Sequence, residues 1–366
     1  VDPNKYLIGI GQTEMAVASY SYDTVAMAAN AADQLLTDED REAIDMILFA
    51  TESGVDQSKS AGTWVHRLLG IQSNARVVEL KQACYSATAS IQLAMGHIAL
   101  HPESKVLVLA SDIAKYGLET AGEPTQGAGA VAVLMSANPS ILAIEKETGV
   151  YTEEISDFWR PNYSEVPFVD GKYSVSAYLD TLSASWAQYK SITKNDFSDL
   201  EAILFHVPYT KMGRKALKSL EDEMSVESSK RFEDYYESAI IYNKLVGNIY
   251  TGSLYLSLIS LLEQSTELDS GSRIGMFSYG SGAVGEFFVG QLQKGYKNHL
   301  LKEEHEKLLK ERKKLSLKEY EAILSKSSNL DEEGNQEDKE SFVSENHFIF
   351  EGIAEGKRQY KKADIL

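Results

Sequence analysis

Short apolar runs alternate along the chain with longer segments that begin with small residues. Runs with the length and continuous hydrophobicity of buried strands occur at 43–50 (AIDMILFA), 76–80 (RVVEL), 105–110 (KVLVLA), 199–206 (DLEAILFH) and 273–279 (RIGMFSY). The longer segments at 83–95 and 248–262 predict helices. Alternation of apolar strands with helices is typical of α/β layers in which helices cover both faces of a sheet.

The pattern occurs twice within the chain. The segment GAGAVA at 127–132 recurs as GSGAVG at 280–285, and each is followed by an apolar run that predicts a strand. The apolar runs at 43–50 and 199–206 correspond in the same way. Each half therefore has the predicted order strand, helix, strand, Gly-rich turn, strand, and self-similarity of this kind indicates duplication. We predict two similar halves with the ligands between them.

The repeat also predicts how the chain is divided. We assign residues 1–149 to a first half, 150–295 to a second half, and 296–366 to a charged, partly helical extension packed on or near the second half. Residues 150–190 are rich in Tyr and Trp and have no counterpart in the repeat. We expect them to form an insertion over the site.

Composition narrows the possible functions. The net charge of −18 argues against broad binding of nucleic acid, which needs a basic face. The apolar runs stay well below the roughly 18 residues of a membrane span, so no membrane segment is predicted. The seven histidines are scattered singly and have no companion cysteines, so we predict no metal site.

One local cluster of basic residues could still face an anionic ligand. Lys211, Arg214, Lys215 and Lys218 follow helical spacing, and Lys211 and Lys215 lie one turn apart. A solvated helix face would have the same pattern. In a protein as acidic as this one, electrostatic complementarity favours a ligand that carries several negative charges.

Cys84 is the one cysteine of the chain, so no intrachain disulfide can form and a reducing compartment is indicated. It follows the predicted strand at 76–80 and stands at the predicted start of a helix. Free backbone N–H groups and the positive end of the helix dipole stabilise a thiolate, so we expect a lowered pKa for the Cys84 thiol. An inert cysteine packed in the core is the alternative.

Two further polar residues stand at the ends of predicted strands. Glu52 follows the run at 43–50, and His206 closes the run at 199–206. Each could be structural when it is considered alone. Together with Cys84 they supply a nucleophile, a carboxylate base and a histidine acid, which suits covalent acyl transfer coupled to proton abstraction.

Six segments, taken in order along the chain, give a more specific indication. They are 50–54 (ATESG), 83–88 (ACYSAT), 122–132 (GEPTQGAGAVA), 205–217 (FHVPYTKMGRKAL), 246–255 (VGNIYTGSLY) and 278–287 (SYGSGAVGEF). These segments closely resemble bacterial hydroxymethylglutaryl-CoA synthases, and the likeness extends from Val1 to about Gly295.

The resemblance implies a thiolase-like α/β fold, with two similar halves in an αβαβα arrangement. It implies an acyltransferase that condenses acetyl-CoA with acetoacetyl-CoA and water to give 3-hydroxy-3-methylglutaryl-CoA, in the mevalonate route to isoprenoids. It further implies a cytoplasmic homodimer that needs no cofactor beyond the CoA of its substrates.

The resemblance also implies roles for individual residues. Cys84 would take the acetyl group as a thioester, and Glu52 would remove a proton from its methyl group. His206 would polarise and protonate the ketone of acetoacetyl-CoA. Substrate contacts are implied for Tyr116, Thr125, Ser174, Lys211, Lys215, Asn248 and Ser281. Among these, Asn248 and Ser281 would hold the acetoacetyl chain or an oxyanion, and the two lysines would face CoA.

Three alternatives remain open from the sequence. Polyketide β-branching synthases carry the same Cys, Glu and His but accept acyl groups on a carrier protein. Fatty-acid condensing enzymes pair Cys and His with an Asn, and the Glu52 motif argues against them. A non-catalytic paralogue would have no physical reason to keep Cys84, Glu52 and His206 together.

The start of the chain departs from the family pattern. Val1 is not an initiator Met, and the positions of the motifs place roughly 27 further family residues before it, including the first strand. We therefore expect that strand to be missing from the first sheet.

Overall fold

The computed structural model describes residues 4–164, 166–325, 331, 333–337 and 344–363. After a π-helical segment at Lys5–Ile10, the first half contains α1 (Thr24–Asp33), α2 (Asp38–Ala43), β1 (Ile44–Ala50), α3 (Gly62–Leu68), β2 (Arg76–Leu80), α4 (Ser86–Leu100), β3 (Lys105–Ala114) and β4 (Gly127–Met135).

The second half contains β5 (Leu142–Ile144), β6 (Gly149–Thr152), β7 (Phe158–Trp159), β8 (Phe168–Val169), α5 (Gly171–Thr193), β9 (Ala202–Phe205), α6 (Lys211–Ser219), α7 (Val226–Ala239), α8 (Ile241–Val246), α9 (Ser253–Gln264), β10 (Arg273–Gly280) and β11 (Val284–Leu292). The extension contains α10 (Lys302–Glu311), α11 (Leu317–Leu324), β12 (Gln336–Glu337), β13 (Phe348–Ala354) and β14 (Lys357–Lys362).

The two halves carry sheets of matching topology. The first sheet has the order β2-β1-β3-β4, with β1 parallel to β2 and β3, and β4 antiparallel to β3. In the second sheet β9 is parallel to β10, and β11 is antiparallel to β10. Strands β1, β3 and β4 thus correspond to β9, β10 and β11. The duplicated α/β pattern predicted from the sequence is confirmed.

Buried side chains divide the molecule into five layers. The inward faces of both sheets pack on α4 and α9, which form the central layer between them. Helices α1 and α3 cover the other face of the first sheet, and α5, α6 and α7 cover the other face of the second sheet. Removal of these apolar faces from water provides the main stabilisation. The predicted αβαβα arrangement is confirmed.

The Gly-rich segment at 127–132 differs from its prediction as a turn. It is the first part of β4, whereas the matching segment in the second half does contain a turn at 281–283. A Cβ on Gly127 would lie 2.5 Å from the backbone oxygen of Asn248 and 2.7 Å from its nitrogen. Glycine is therefore required here by the close approach of two backbones, at the bridge between Gly127 and Gly247.

The segment predicted as an insertion, 150–190, is only partly so. Its last twenty residues belong to α5, which packs on β6 and β11 and buries Trp186 and Tyr189 in the second half. Asp170 begins this helix by accepting a hydrogen bond from the backbone N–H of Tyr173 (3.1 Å). The short hairpin of β7 and β8 lies outside the two main sheets, and the insertion is confined to its surroundings.

The extension packs on both halves, whereas the sequence predicted a place on or near the second half. His305 of α10 contacts the buried Glu263 of α9 at 2.8 Å. The sheet formed by β12, β13 and β14, which the sequence analysis missed, packs on α1 in the first half. There Arg358 and Tyr360 each donate a hydrogen bond of 2.6 Å to Asp23, the residue that caps α1.

The edge of β4 that faces away from β3 is the position in the first sheet to compare with the strand expected before Val1. Within the described residues β4 pairs with β3, and its other edge makes only the bridge at Gly127. The corresponding edge of β11 carries β5 and β6. The strand expected before Val1 stays a prediction.

Every helix in the described part of the chain is too short or too polar to cross a membrane.

The close approach at Gly127 can be tested by substitution. Gly127→Ala should lower the free energy of unfolding by about 1–3 kcal/mol, because the added methyl must push two backbones apart. Gly96→Ala is the matched control, since a Cβ on this α4 glycine would meet nothing within 4 Å. That variant should gain about 1 kcal/mol from helix propensity. Urea unfolding of both variants gives the comparison, and equal midpoints would contradict the assignment.

Candidate active site

The site forms where the ends of β1 and β3 meet the segment before α9. Asp112 of β3 is fully buried, and its carboxylate accepts five hydrogen bonds. Three come from the residues after β1: Thr51 Oγ1 at 2.9 Å, Glu52 N at 2.7 Å and Ser53 Oγ at 2.9 Å. Thr251 of the second half donates the other two, from Oγ1 at 2.6 Å and N at 3.1 Å. Asp112 thus fixes the backbone of Glu52 against both halves.

Cys84 lies in the short loop between β2 and α4. The helix predicted from residue 83 begins instead at Ser86, whose hydroxyl accepts a hydrogen bond of 2.5 Å from the backbone N–H of Gln82. Ala83 has a φ of 44°, in the left-handed region that few non-glycine residues adopt. This tight loop directs the thiol of Cys84 toward the end of β1.

The Cys84 thiol donates a hydrogen bond of 2.9 Å to Oε1 of Glu52. Burial raises the pKa of Glu52 to about 8, and the charge of Asp112 adds to this, whereas the thiol hydrogen bond acts in the opposite direction. Burial and the charge of Glu52 raise the pKa of the Cys84 thiol well above its ordinary value. The prediction of a lowered thiol pKa is therefore wrong, because burial among carboxylates outweighs the helix terminus.

His206 follows β9 in the second half and is 3% exposed. Its backbone N–H donates to the carbonyl of Phe277 (2.8 Å), and its carbonyl accepts from the hydroxyl of Tyr178 (2.8 Å). Burial lowers the pKa of His206 to about 3. The imidazole is accordingly neutral near pH 7, with one ring N–H able to donate a hydrogen bond.

Asp157 joins several predicted site residues into one network. Its carboxylate is fully buried and accepts hydrogen bonds from Tyr279 Oη (2.8 Å), Ser174 Oγ (3.0 Å) and the backbone N–H of Gly282 (3.0 Å). The carbonyl of Ser281 accepts a hydrogen bond of 3.2 Å from Gln82 Nε2, two residues before Cys84. The structure thus brings Ser174 and Ser281 to the same region as the nucleophile candidate.

Three aromatic rings form a wall beside the thiol. The ring centroids of Tyr116, Phe158 and Tyr250 lie 6.1–6.2 Å apart in edge-to-face arrangements. Burial and the nearby Cys84 raise the pKa of Tyr116, so its hydroxyl keeps its proton. Thr125 belongs to the same group, because its hydroxyl hydrogen-bonds Tyr116. Such a wall excludes water from the space in front of the thiol.

Asn248 is buried at the turn before α9. Its side-chain oxygen accepts hydrogen bonds from the backbone N–H of Tyr250 (2.9 Å) and from Ser253 Oγ (3.0 Å). With the oxygen used in this way, the amide nitrogen is the atom that can donate to a ligand.

Lys211 and Lys215 lie on α6, which begins five residues after His206. Lys215 is exposed, and its ammonium contacts the hydroxyl of Tyr209 at 3.1 Å. A CoA role for the two lysines stays a prediction. No group of three or more His, Cys, Asp or Glu side chains within the described ranges could hold a metal ion.

Comparison with known proteins identifies the family. Residues 1–140 match the family profile described as hydroxymethylglutaryl-coenzyme A synthase N terminal, and residues 142–231 and 217–362 match the corresponding C-terminal profile. The chain is 53% identical over 339 residues to the hydroxymethylglutaryl-CoA synthase of Enterococcus faecalis, covering 93% of this chain and 88% of that protein. The chain belongs to the hydroxymethylglutaryl-CoA synthase family.

Two further matches define its place among hydroxymethylglutaryl-CoA synthases. A crystal structure of such a synthase complexed with CoA superposes with a TM-score of 0.95 at 45% identity, covering 99% of this chain and 93% of that one. A polyketide-biosynthesis 3-hydroxy-3-methylglutaryl-ACP synthase from Bacillus subtilis is 32% identical over 336 residues, covering 86% of this chain and 80% of that protein. The thiolase-like fold predicted from the sequence is confirmed.

Sequence reasoning missed four residues of this hydroxymethylglutaryl-CoA synthase site: Asp112, Asp157, Arg160 and Tyr250. Asp112 did leave a signal, because an acidic residue interrupts an otherwise apolar strand and must be hydrogen-bonded there. Asp157 and Arg160 lie in irregular segments and Tyr250 begins a short 3-10 helix, and the local sequence pattern at these positions carries no such signal.

The raised pKa of Cys84 predicts a pH-dependent alkylation rate. Because only the thiolate reacts, iodoacetamide should modify the wild-type thiol slowly at pH 8 and faster as the pH rises above 9. Glu52→Gln removes one of the charges that raise this pKa. Alkylation at pH 8 should then accelerate about tenfold for each pKa unit recovered.

Mass spectrometry gives this rate directly, since Cys84 is the one thiol in the chain. Glu39→Gln, at an exposed position of α2, is the matched control and should behave as the wild type. Identical rates for all three proteins would mean that Glu52 does not act on the thiol.

Proposed function

We propose that this protein is a hydroxymethylglutaryl-CoA synthase, which condenses acetyl-CoA with acetoacetyl-CoA and water to give 3-hydroxy-3-methylglutaryl-CoA and CoA. The observation that carries the proposal is the 2.9 Å contact between Cys84 Sγ and Glu52 Oε1, in a buried site of a chain that belongs to this family. A nucleophile in contact with a carboxylate of raised pKa is the arrangement that covalent acyl transfer followed by proton abstraction needs.

In the first step Cys84 takes the acetyl group. The thiol gives its proton to the carboxylate of Glu52, its hydrogen-bond acceptor, and the sulfur attacks the thioester carbon of acetyl-CoA. The carbon–sulfur bond to CoA then breaks, and the departing CoA sulfur takes the proton from Glu52, which leaves the Glu52 carboxylate ionised for the second step. Because burial raises the thiol pKa, a proton acceptor in contact with the thiol assists this transfer.

In the second step Glu52 removes a proton from the methyl group of the acetyl-cysteine. This α-proton is weakly acidic, and a carboxylate whose pKa is about 8 is a stronger base than an ordinary one. The resulting carbanion attacks the ketone carbon of acetoacetyl-CoA and forms the new carbon–carbon bond. The neutral imidazole of His206 donates a hydrogen bond to the ketone oxygen as it becomes an alkoxide and passes a proton to it to give the hydroxyl. The proton that Glu52 removed from the methyl group balances this transfer and restores the imidazole.

Hydrolysis completes the cycle. Water attacks the thioester that joins the condensed product to Cys84, which releases the free carboxylate of 3-hydroxy-3-methylglutaryl-CoA and restores the thiol. Cys84, Glu52 and His206 together supply the nucleophile, base and acid of this sequence, so we propose no cofactor beyond the CoA of the substrates.

The remaining predicted residues are proposed substrate contacts. The amide nitrogen of Asn248 and the turn at Ser281 would donate to the acetoacetyl chain or an oxyanion. Tyr116, Thr125 and Ser174 would shape the acyl pocket. Lys211 and Lys215, on one face of α6, would attract the phosphates of CoA.

The acceptor is proposed to be a CoA thioester rather than an acyl group on a carrier protein. Identity is 53% to the Enterococcus faecalis CoA enzyme and 32% to the Bacillus subtilis ACP enzyme. We further propose that the protein acts as a cytoplasmic homodimer in the mevalonate route to isoprenoids. Edge strand β2, with Val78 half exposed, supports pairing between two copies.

The direct test is an assay of the purified protein with acetyl-CoA and acetoacetyl-CoA. Formation of 3-hydroxy-3-methylglutaryl-CoA, and retention of radioactive acetyl label that is lost in Cys84→Ala, would support the proposal. Product formed only from an acetoacetyl carrier protein would favour the polyketide type. Label that survives in Cys84→Ala after denaturation would disprove the assignment of the nucleophile.

Glu52→Gln should separate the two half-reactions. The substitution removes the base for the acetyl methyl group, so condensation should fall by about 10²-fold or more. It also removes a charge that raises the pKa of Cys84, which offsets the loss of the proton acceptor. Acetylation of Cys84 should therefore persist at a comparable extent, followed by radioactive acetyl-CoA. Equal loss of both half-reactions would mean that Glu52 is structural.

His206→Ala should form acetyl-enzyme yet bind acetoacetyl-CoA poorly. One lost hydrogen bond to a ligand corresponds to about 5- to 150-fold in affinity, and condensation should slow further without a donor to the alkoxide. Lys215→Ala is the contrast, because it should weaken CoA substrates in a salt-dependent way and spare the chemical step. Titration of acetoacetyl-CoA against both variants decides. Normal binding and rate in His206→Ala would leave His206 a packed strand-end residue.

A further inference from the structure

A four-residue strap, residues 157–160, connects the second half to the catalytic pair. At its start, the buried Asp157 is held by Tyr279, Ser174 and the backbone of Gly282. These three partners belong to β10, α5 and the turn before β11, so the first residue of the strap is anchored in the second half.

The middle of the strap packs on the acyl pocket. Phe158 contacts the rings of Tyr116 and Tyr250 edge to face, with centroids 6.1 Å from each. Trp159 faces outward and stacks on Phe168 of β8, with ring centroids 5.5 Å apart. Phe158 and Trp159 therefore fix the position of the strap immediately before Arg160.

At the end of the strap, Arg160 reaches the first half. Its guanidinium donates a hydrogen bond to the backbone carbonyl of Glu52, and its positive charge lowers the pKa of the Glu52 carboxyl. Within the described residues, five titratable or charged groups interact electrostatically with Glu52: Cys84, Asp112, Tyr116, Arg160 and Tyr250. Arg160 is the cation among them.

Acetylation changes this balance. In the free enzyme two groups favour the ionised carboxylate of Glu52, the Cys84 S–H and Arg160. Once Cys84 carries an acetyl group, its sulfur has no proton to donate, and that hydrogen bond is lost. Arg160 then remains, at the step in which Glu52 must be ionised to accept the methyl proton, while burial and Asp112 favour the protonated acid.

We propose that Arg160 is a positioning residue for condensation: it holds Glu52 through the backbone and supplies the positive charge that favours the ionised carboxylate after Cys84 is acetylated. The inference rests on the proposed function. During acetylation the Cys84 S–H also favours the ionised carboxylate, so the effect of Arg160 falls mainly on the second half-reaction.

The test is the pH profile of condensation, started from preformed acetyl-enzyme and mixed with acetoacetyl-CoA. The rate rises with pH as Glu52 ionises, and Arg160→Gln should move this acidic limb up by about one pH unit. Below the limb the variant should condense roughly tenfold more slowly. Arg160→Lys keeps the charge and should restore most of the shift, while the extent of acetylation stays unchanged in both. Arg67→Gln, at an exposed position of α3, is the matched control.

The salt dependence of the pH profile provides a second measurement, which can be made on the wild type itself. Arg160 is exposed, so added salt should screen its charge and raise the acidic limb of the wild type but not that of Arg160→Gln. Three results would overturn the inference. Arg160→Gln could lower the rate without moving the acidic limb of the pH profile, salt could leave the wild-type limb unmoved, or Arg160→Lys could fail to reverse the shift. Absence of product from the wild type would count against the proposed function instead.

Discussion

The buried carboxylate of Asp112 is the interaction on which the site depends. Its five hydrogen bonds come from residues after β1 and from Thr251, so one side chain joins the two halves at the point where Glu52 leaves its strand. A buried carboxylate without such partners would be strongly destabilising, and burial does raise the pKa of Asp112 even with them. The Cys84–Glu52 contact depends on this anchor, because three of the five hydrogen bonds come from the consecutive residues Thr51, Glu52 and Ser53.

The site concentrates negative groups around a nucleophile that must also lose a proton. Burial and the charges of Glu52, Asp112 and Asp157 all raise the pKa of Cys84, which keeps the thiol protonated. A protonated thiol resists oxidation and unwanted alkylation, because the thiolate is the reactive form. After acetylation the sulfur has no proton to lose, and Glu52 must instead remove a carbon-bound proton. Burial and the charge of Asp112 raise the pKa of Glu52, which makes it a stronger base for that step. Electrostatics that disfavour the first step therefore favour the second.

Local patterns in the sequence predicted what depends on local physics. The strand at 76–80 was found at the same residues as β2, and Glu52 and Cys84 lie in contact as strand-end positions suggested. What depends on partners far along the chain was not predictable in this way. The thiol pKa is raised by burial and by carboxylates from three separate segments, and Gly127 is required by a backbone about 120 residues away. Strand β14 (KRQYKK) is too charged to be recognised, since its burial rests on the single Tyr360 and on Asp23.

The extension has a consequence for how substrates reach the thiol. From α10, which contacts the second half, the chain returns to place β13 and β14 against α1 of the first half. The chain thus connects the two halves twice, once where it passes from the first half to the second near residue 141 and once through the extension. Both connections run around the shared central layer of α4 and α9. A hinge that swings the halves apart would have to strip off the extension and expose that layer, which carries a large free-energy cost. We therefore expect substrates to enter and leave through small movements at the rim of the site, where the β7–β8 hairpin lies outside both main sheets.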